Sequence, residues 1–413
     1  MVKRVPSEAS PRKVAAAKAP RSGPRRIAGS VGGAGWLRRA PGRLWLAVLG
    51  VLLVTAAWGD EVWLAARPDY RWAFPADHWA HPGYRLEWWY LTGHLAAADD
   101  PARRFGFQFT VFRIGLLRER PDLASEWASA NLLMGHAAVT DLAAGRHVFS
   151  ELLYREAPFL AGFGRSPDPR LAWSRGPAGT DEEWSLHWNG EAFDVAMADR
   201  ARGLAFRLTT RPRKPLVFQG PGGYSRKGGG PTAASQYYSF TRLDTRGTVT
   251  AGGRSWEVRG ESWMDKEFGS NQLDPRQVGW DWLSLQLAGG RELMLYLLRD
   301  RAGAVDFARG TLVSPAGQAR YLERGDFAVR ATARWKSAAS GTEYPARWSV
   351  EVPGEGLAVE VVPELADQEN RSALVRGLHY WEGAVAVRAA GGAPAGRGYV
   401  ELVGYGTGSR PKL

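Results

Sequence analysis

EWWYLTGHL at residues 87–95 aligns without a gap on GWDWLSLQL at residues 279–287. Each stretch is followed by a second strand-like segment that ends in arginine. Farther along, GLAFRLTTRP (203–212) aligns with GLAVEVVPEL (356–365), and the ends of the two halves correspond as well. Four matches in the same order indicate a duplicated structural unit rather than a chance similarity of tryptophan-rich strands.

The segments around these repeats alternate between apolar and polar residues, which is typical of β-strands. Nineteen Trp, 13 Tyr and 15 Phe favour strands, and 50 Gly with 25 Pro supply the turns between them. Most gaps are short enough for hairpins, so we expect antiparallel pairing. The sequence thus predicts an all-β fold with two similar domains, each a barrel or sandwich, at residues 70–250 and 255–410.

The net charge of +12 is concentrated at one end of the chain. Residues 1–43 contain eleven Lys or Arg and a single acid, Glu8, so we expect a disordered basic tail. The remainder is almost neutral. It therefore lacks the basic surface that nucleic-acid binding requires, and we expect no nucleic-acid partner.

An uncharged stretch, LWLAVLGVLLVTAAW, follows the tail at residues 44–58. Its 15 residues suit the core of a signal peptide better than a full membrane span, although an uncleaved anchor and a buried helix stay open as alternatives. The arginines before it predict that the amino terminus stays in the cytoplasm. We expect a periplasmic, secreted or inner-membrane-anchored protein whose body lies outside the cytoplasm.

Several longer strings resemble one known family, the AttH-type lipocalin-like proteins, which are labelled predicted secreted hydrolases and are related to the carotenoid 1,2-hydratases. The strings run in order through most of the part that follows the apolar stretch: HWAHPGYRLEWWYLTGHL (78–95), FGFQFTVFR (105–113), WMDKEFGSNQL (263–273), GWDWLSLQL (279–287) and RELMLYLLR (291–299). The resemblance implies two duplicated lipocalin-like (calycin) β domains. Such barrels use inward aromatic side chains to line an apolar pocket.

The sharpest chemical candidate is a row of acids in the string ESWMDKE. Glu261, Trp263, Asp265 and Glu267 share one face of a strand, because side chains alternate with period 2. If that face borders a cavity, burial and mutual repulsion raise at least one carboxyl pKa and leave a neutral acid near pH 7. The alternative is an outward row of acids that pair with Lys266 or other basic residues.

These residues give a hypothesis for the site. Asp265 donates a proton to an alkene, and Glu267 or Asp281 assists it. The aromatic residues are expected to form the ligand-binding walls and to stabilise a cation, with His94 as a polar group of the lumen. These ligand-binding candidates are Trp263, Trp280, Trp282, Trp89, Tyr90 and His94.

Other classes of active site find little support in the sequence. There is no cysteine, no GxSxG motif and no HExxH motif, which disfavours serine and cysteine hydrolases and cysteine-ligated zinc. His78 and His81 have a metal-compatible spacing without a second pair, so hydrogen bonding is expected of them. We expect no metal and no cofactor.

Two functions remain. The first is a hydro-lyase related to the carotenoid 1,2-hydratases that hydrates a double bond of an isoprenoid or similar apolar substrate. The second is a non-catalytic periplasmic carrier of a lipid or other apolar ligand that serves an envelope transporter. Both predict an apolar pocket, but only the enzyme requires a buried acid with a raised pKa.

Overall fold

The computed structural model describes residues 63–406. The predicted basic tail at 1–43 and the apolar stretch at 44–58 lie outside these residues. Helix within 63–406 is confined to five 3₁₀ turns of three residues each, and none is long and apolar enough to cross a membrane. These turns are Ala76–His78, Arg200–Arg202, Pro221–Gly223, Ala288–Gly290 and Pro353–Glu355.

The first sheet is antiparallel and runs in the order β4-β3-β2-β1-β13-β12-β9-β8-β7-β6-β5, with β10 and β11 also paired to β12. Its strands are β1 Leu86–Ala97, β2 Arg104–Gly115, β3 Asn131–Asp141, β4 Arg146–Arg155, β5 Ala161–Phe163, β6 Arg170–Arg175, β7 Glu183–Trp188, β8 Phe193–Asp199, β9 Leu204–Pro212, β10 Val217–Phe218, β11 Tyr224–Arg226, β12 Ala234–Ala251 and β13 Arg254–Asn271.

The second sheet is antiparallel too and runs in the order β17-β16-β15-β14-β23-β22-β20-β19-β18, with β21 paired to β22. Its strands are β14 Gln277–Leu287, β15 Glu292–Asp300, β16 Val305–Val313, β17 Ala319–Glu323, β18 Ala328–Lys336, β19 Glu343–Val352, β20 Leu357–Pro363, β21 Glu369–Arg371, β22 His379–Ala389 and β23 Pro394–Val403. One sheet forms a nearly closed barrel and the other a half-barrel.

The two sheets follow the same path, which confirms the predicted duplication and the all-β fold. In the first sheet β1 lies between β2 and β13, and in the second β14 lies between β15 and β23. The strands that begin the aligned repeats are therefore structural equivalents. The later repeats also coincide, because β9 next to β12 corresponds to β20 next to β22.

The change from the first sheet to the second falls between Asn271 and Gln277, after the boundary expected between residues 250 and 255. Apart from Arg254, strand β13 falls within the range 255–410 expected for the second domain. It belongs to the first sheet because it pairs with β1 from Leu86 to Ala97 as well as with β12. Pairing with its hairpin partner β12 and with β1, which is distant in sequence, therefore places β13 in the first sheet.

Each sheet fills its concave side with its own apolar core. Trp89, Leu91 and Phe109 belong to the first core, and Leu283 and Trp348 belong to the second. We expected the ligand pocket inside these barrels, but their interiors are packed with side chains. A third apolar cluster lies between the sheets and includes Tyr90, Trp263, Trp282, Met294 and Tyr399.

The contact between the sheets repeats the internal symmetry of the sequence. His94 Nε2 donates a hydrogen bond to the carbonyl oxygen of Gly398 (2.8 Å), and its counterpart Gln286 donates to the carbonyl oxygen of Ser262 (2.9 Å). The two sheets approach each other closely at Gly106, because a Cβ atom there would lie 2.7 Å from the Tyr399 hydroxyl. The two sheets therefore face each other through equivalent strands and are locked together at this end.

Candidate functional site

A cavity of about 640 Å³ lies between the two sheets. Its size falls within the roughly 300–1,000 Å³ typical of small-molecule sites. Its walls are rich in aromatic side chains, contributed by both sheets: Trp88, Tyr90, Phe112, Tyr237, Trp280, Trp282, Tyr296 and Tyr380. Because these side chains leave the strands on the side opposite the barrel cores, the cavity belongs to neither barrel alone.

The duplication supplies the cavity with equivalent pairs of residues. Tyr90 and Trp282 align in the repeat, and both line the cavity. Asp265 is the cross-strand partner of Tyr90, and Glu401 is the cross-strand partner of Trp282. Asp265 and Glu401 are therefore equivalent carboxyl groups, one from each sheet, in a single cavity.

Asp265 is held by three hydrogen-bond donors. Ser239 Oγ and Trp263 Nε1 donate to Asp265 Oδ1 at 2.5 and 2.6 Å. The Tyr237 hydroxyl donates to Asp265 Oδ2 at 2.6 Å, and Trp282 Nε1 lies 3.2 Å from the same hydroxyl oxygen. The carboxyl group is thus fixed in place, and the hydroxyl of Tyr237 connects it to the aromatic wall.

Burial raises the pKa of Asp265 to about 7. The three hydrogen bonds favour the ionised form and limit this rise, whereas the neighbouring charge of Glu267 adds to it. At neutral pH the group therefore exists in both protonation states. A carboxyl group poised in this way can donate or accept a proton within an apolar cavity.

Glu267 differs from Asp265 because it forms an ion pair. Lys227 Nζ lies 2.8 Å from Glu267 Oε1, and Ser235 Oγ donates to the same oxygen at 2.5 Å. Burial opposes the charge on Lys227, but the attraction and hydrogen bond of Glu267, together with Tyr296 and Asp265, outweigh it and raise the lysine pKa. The pair places one fixed positive and one fixed negative charge in the cavity wall.

Glu401 has a second carboxyl group, Glu382, as its direct cross-strand neighbour. Burial raises the pKa of Glu401 to about 7, and the hydrogen bond from Trp280 Nε1 (2.9 Å) opposes the rise. Burial, followed by repulsion from Glu401, raises the pKa of Glu382 well above its usual value. At neutral pH Glu382 is therefore protonated, and Glu401 exists in both protonation states.

Among the described residues, four polar atoms in the cavity wall lack hydrogen-bond partners within the protein: the Tyr90 hydroxyl, Gln108 Oε1, His136 Nε2 and Glu382 Oε1. Burial lowers the pKa of His136 to about 3, so its ring is neutral. Its Nδ1 lies 2.8 Å from the Tyr380 hydroxyl, while its Nε2 is buried without a partner, as is Glu382 Oε1. Because buried polar atoms are normally satisfied, this wall suits a ligand or water with hydrogen-bonding capacity.

The cavity opens at one end of the strands. Asp265, Tyr237 and Glu382 are buried at the inner end. Arg85 and Asn271, which also line the cavity, are exposed where β1 begins and β13 ends. The cavity therefore runs inward from the exposed loops at its opening to the buried carboxyl groups of Asp265 and Glu382.

The structure brings five of the sequence candidates to this cavity: Asp265, Glu267, Tyr90, Trp280 and Trp282. Trp263 lies directly behind them, where its indole nitrogen orients Asp265. Glu261, on the same face of β13, is instead partly exposed and pairs with Arg242 (2.8 Å) and Arg213 (3.2 Å). The row of acids is thus divided between cavity and surface.

Three candidates lie elsewhere. Trp89 faces the first core, where the Lys266 ammonium lies 3.2 Å from its ring centroid. His94 forms the hydrogen bond between the sheets described above. Asp281 points to the second core and binds Arg299 Nε (2.8 Å) and the Tyr405 hydroxyl (2.9 Å), so the structure does not bring it near Asp265.

Sequence reasoning missed several residues of the cavity, chiefly Glu382, Glu401, His136 and Tyr237. A signal was present for the two glutamates, because each interrupts an otherwise apolar strand in YWEGAVAV and YVELVGYG. The duplication also carried the information, since Glu401 occupies the position equivalent to Asp265. Their convergence on one cavity depends on how the sheets pack, which local patterns do not specify.

His78 and His81 belong to a buried polar network near the entry to β1. His81 Nδ1 lies 2.6 Å from Glu87 Oε1, and Glu87 also binds Arg113 and Lys266. His78 Nδ1 lies 2.6 Å from the Tyr238 hydroxyl. Both histidines therefore have hydrogen-bond partners, within a network that ties the segment before β1 to the first sheet.

Comparison with known proteins agrees with this architecture. The AttH-like family model matches residues 65–405. The crystal structure of an AttH protein from Nitrosomonas europaea superposes with a TM-score of 0.71 at 30% identity, over 83% of this chain and 99% of that chain. No curated protein matches the sequence.

A second solved structure shares the fold at lower similarity. Kievitone hydratase from Nectria haematococca superposes with a TM-score of 0.57 at 12% identity, over 80% of this chain and 92% of that chain. At this identity the likeness concerns the fold alone. The match of the family model over almost all of the described residues shows that the chain belongs to the AttH-like family.

Proposed function

We propose that this protein binds an unsaturated apolar molecule of the isoprenoid class between its two sheets and adds water to one of its double bonds. The observation that carries the proposal is the position of Asp265, a buried carboxyl group with a pKa of about 7 in an aromatic cavity. The fold that this protein shares with kievitone hydratase supports the same reaction class.

The first step is protonation of the alkene. In the protonated state Asp265 Oδ2 donates to the Tyr237 hydroxyl, whose own hydrogen is then free to point into the cavity. The Tyr237 hydroxyl hydrogen passes to one alkene carbon while the Asp265 proton moves onto the tyrosine oxygen, so that the π bond breaks, a C–H bond forms and Asp265 is left as a carboxylate. The positive charge remains on the more substituted carbon, where the faces of Trp280, Trp282 and Tyr90 stabilise it.

The second step is addition of water. The unpartnered atoms His136 Nε2 and Glu382 Oε1 provide the hydrogen-bonding position for that water. The water oxygen forms the C–O bond and its proton passes to the ionised form of Glu401. The net change is one water added to one double bond, and exchange of protons with solvent restores both carboxyl groups.

The test uses the full chain with geranylgeraniol and lycopene as probes, in isotopically labelled water. Mass spectrometry should detect a product that has gained one labelled water. The alternative is a carrier, which would retain the same probes unchanged. Binding of a probe without any product in the wild-type protein would favour the carrier and end the hydratase proposal.

A matched pair of variants separates chemistry from folding. Asp265→Asn removes the proton but keeps the shape of the side chain. Asp199→Asn makes the same change at a buried aspartate outside the cavity, which accepts a hydrogen bond from Ser150 Oγ at 2.6 Å. Loss of product with the first variant and retention with the second would support Asp265 as the proton donor.

A further inference from the structure

The exposed apolar side chains of the protein are concentrated at one end. Nine large apolar residues are exposed within residues 63–406. Seven of them lie at the open end of the cavity, which we define by the segment that precedes β1, the last residues of β4 and the loops 116–130, 272–276 and 372–378. These seven are Leu64, Leu116, Leu123, Trp127, Leu153, Leu374 and Val375.

Strand directions place these residues together. β2 ends and β3 begins around the loop that carries Leu123 and Trp127, which are 63% and 56% exposed. On the other side of the cavity, the backbone nitrogen of Leu374 donates to Glu151 Oε1 on β4 (3.1 Å). Leu374, at 55% exposed, therefore lies on a loop that is fastened to the first sheet.

The chain enters the described structure at the same end. The carbonyl oxygen of Leu64 accepts a hydrogen bond from Ser270 Oγ (2.6 Å), and Ser270 lines the cavity. In the sequence, the uncharged stretch 44–58 ends five positions before Trp63. The sequence predicts that this stretch enters the membrane, either as the core of a signal peptide or as an uncleaved anchor, and as an anchor it is separated from Trp63 by only residues 59–62.

We propose that the open end of the cavity docks on a lipid bilayer, so that an apolar ligand passes between the bilayer and the cavity without crossing water. Exposed leucine and tryptophan side chains favour the boundary between headgroups and acyl chains. This explains why apolar residues are exposed around the opening, where a ligand-binding protein in free solution gains nothing from them. The proposal concerns ligand delivery and holds for an enzyme or a carrier.

The test exploits the absence of cysteine in the sequence. Single cysteines at Leu123 and Leu374, labelled with the fluorophore NBD, report on the open end. Ala143 in the β3–β4 turn and Ala316 in the β16–β17 turn are exposed at the opposite end and serve as matched controls. With strands of this length the two ends are separated by on the order of 30 Å.

Each labelled full-length variant is reconstituted into phosphatidylcholine vesicles, with and without lipids that carry a nitroxide quencher. We expect blue-shifted emission and strong quenching at positions 123 and 374, and neither effect at 143 and 316. Equal exposure to water at all four positions would overturn the proposal, as would quenching confined to the control positions. A concentration-dependent blue shift at 123 and 374 without lipid would show that a second copy of the chain covers this end, which also overturns it. Because no turnover is measured, the outcome is independent of the hydratase test.

Discussion

Asp265 and Glu401 are equivalent residues of the two repeats, and both line the same cavity. Asp265 pairs across the sheet with Tyr90, Glu401 pairs with Trp282, and Tyr90 aligns with Trp282. The neighbours of the two carboxyl groups differ, because Ser239 pairs with Asp265 where Glu382 pairs with Glu401. Duplication thus produced two buried acids, and divergence of one neighbour gave them different environments.

Because Asp265 and Glu401 have different neighbours, we expect the two carboxyl groups to act at different steps of the reaction. Glu401→Gln removes the group that accepts the proton of the attacking water, but leaves Asp265 and Tyr237 intact. We expect turnover to fall by about 10²-fold, with little change in ligand binding. Product formation and retention of the unreacted probe, measured on the same sample, distinguish this from a variant that no longer binds.

Tyr237→Phe tests the proton path. It removes the hydroxyl that is hydrogen-bonded to Asp265 and that relays the proton in the proposed first step, but retains the aromatic wall. Turnover should fall by about 10²-fold or more, and the thermal midpoint should change little. Tyr296→Phe is the matched control, because its hydroxyl also lines the cavity but binds the carbonyl oxygen of Arg226 (2.6 Å). Equal losses in both variants would argue against a specific path through Tyr237.

The raised pKa values predict how activity depends on pH. Protonated Asp265 starts the reaction, ionised Glu401 accepts the proton of the water, and both carboxyl groups have a pKa of about 7, so turnover should be greatest near pH 7 and should decline as the pH rises above it. A rate that instead increases through the same range would show that the ionised form is the active one. The profile of Asp265→Asn should lose this transition.

Stability should depend on pH in the same direction. The pKa of Asp265 is about 7 in the folded state, against 3.8 for a free aspartate side chain, so the folded state holds more protons between these values. The free energy of unfolding should therefore decrease as the pH rises from 4 to 7, by up to ~1.4 kcal/mol per pH unit for this group. Denaturant titrations of wild type and Asp265→Asn across this range should show a shallower dependence in the variant.

Asp281 should behave as a structural residue. It pairs with Arg299 and accepts a hydrogen bond from Tyr405 on the core side of the second sheet. Asp281→Ala leaves Arg299 without its carboxylate and should lower the free energy of unfolding by ~3–5 kcal/mol. Activity per folded molecule should be retained. A selective loss of turnover without a loss of stability would indicate instead that Asp281 takes part in catalysis.

The sequence predicts the fold well because its signals are local or repeated. Alternation with period 2 identifies the strands, and the repeat identifies β1 and β14 as equivalents. The same alternation correctly groups Asp265 with Glu267, since residues two apart share a face.

What alternation does not specify is which face meets the core and which meets the other sheet. Trp89 and Tyr90 are both aromatic and adjacent, yet Trp89 packs in a barrel while Tyr90 lines the cavity. The convergence of Glu382, Glu401 and His136 on the cavity was missed for the same reason. Those residues meet only through the packing of two sheets whose strands are far apart in sequence.

The most direct test of the proposed chemistry is a paired measurement on Asp265→Asn, with thermal midpoint and product formation recorded on the same samples. Glu267→Gln serves for comparison, because Glu267 contributes its charge and its ion pair with Lys227 rather than the proton. We predict that Asp265→Asn keeps the fold and retains the probe while its turnover falls by about 10²–10⁴-fold, with a smaller loss for Glu267→Gln. A loss of activity that merely follows a loss of folded protein, or unchanged turnover in a folded Asp265→Asn, would contradict the assignment of Asp265 as the proton donor.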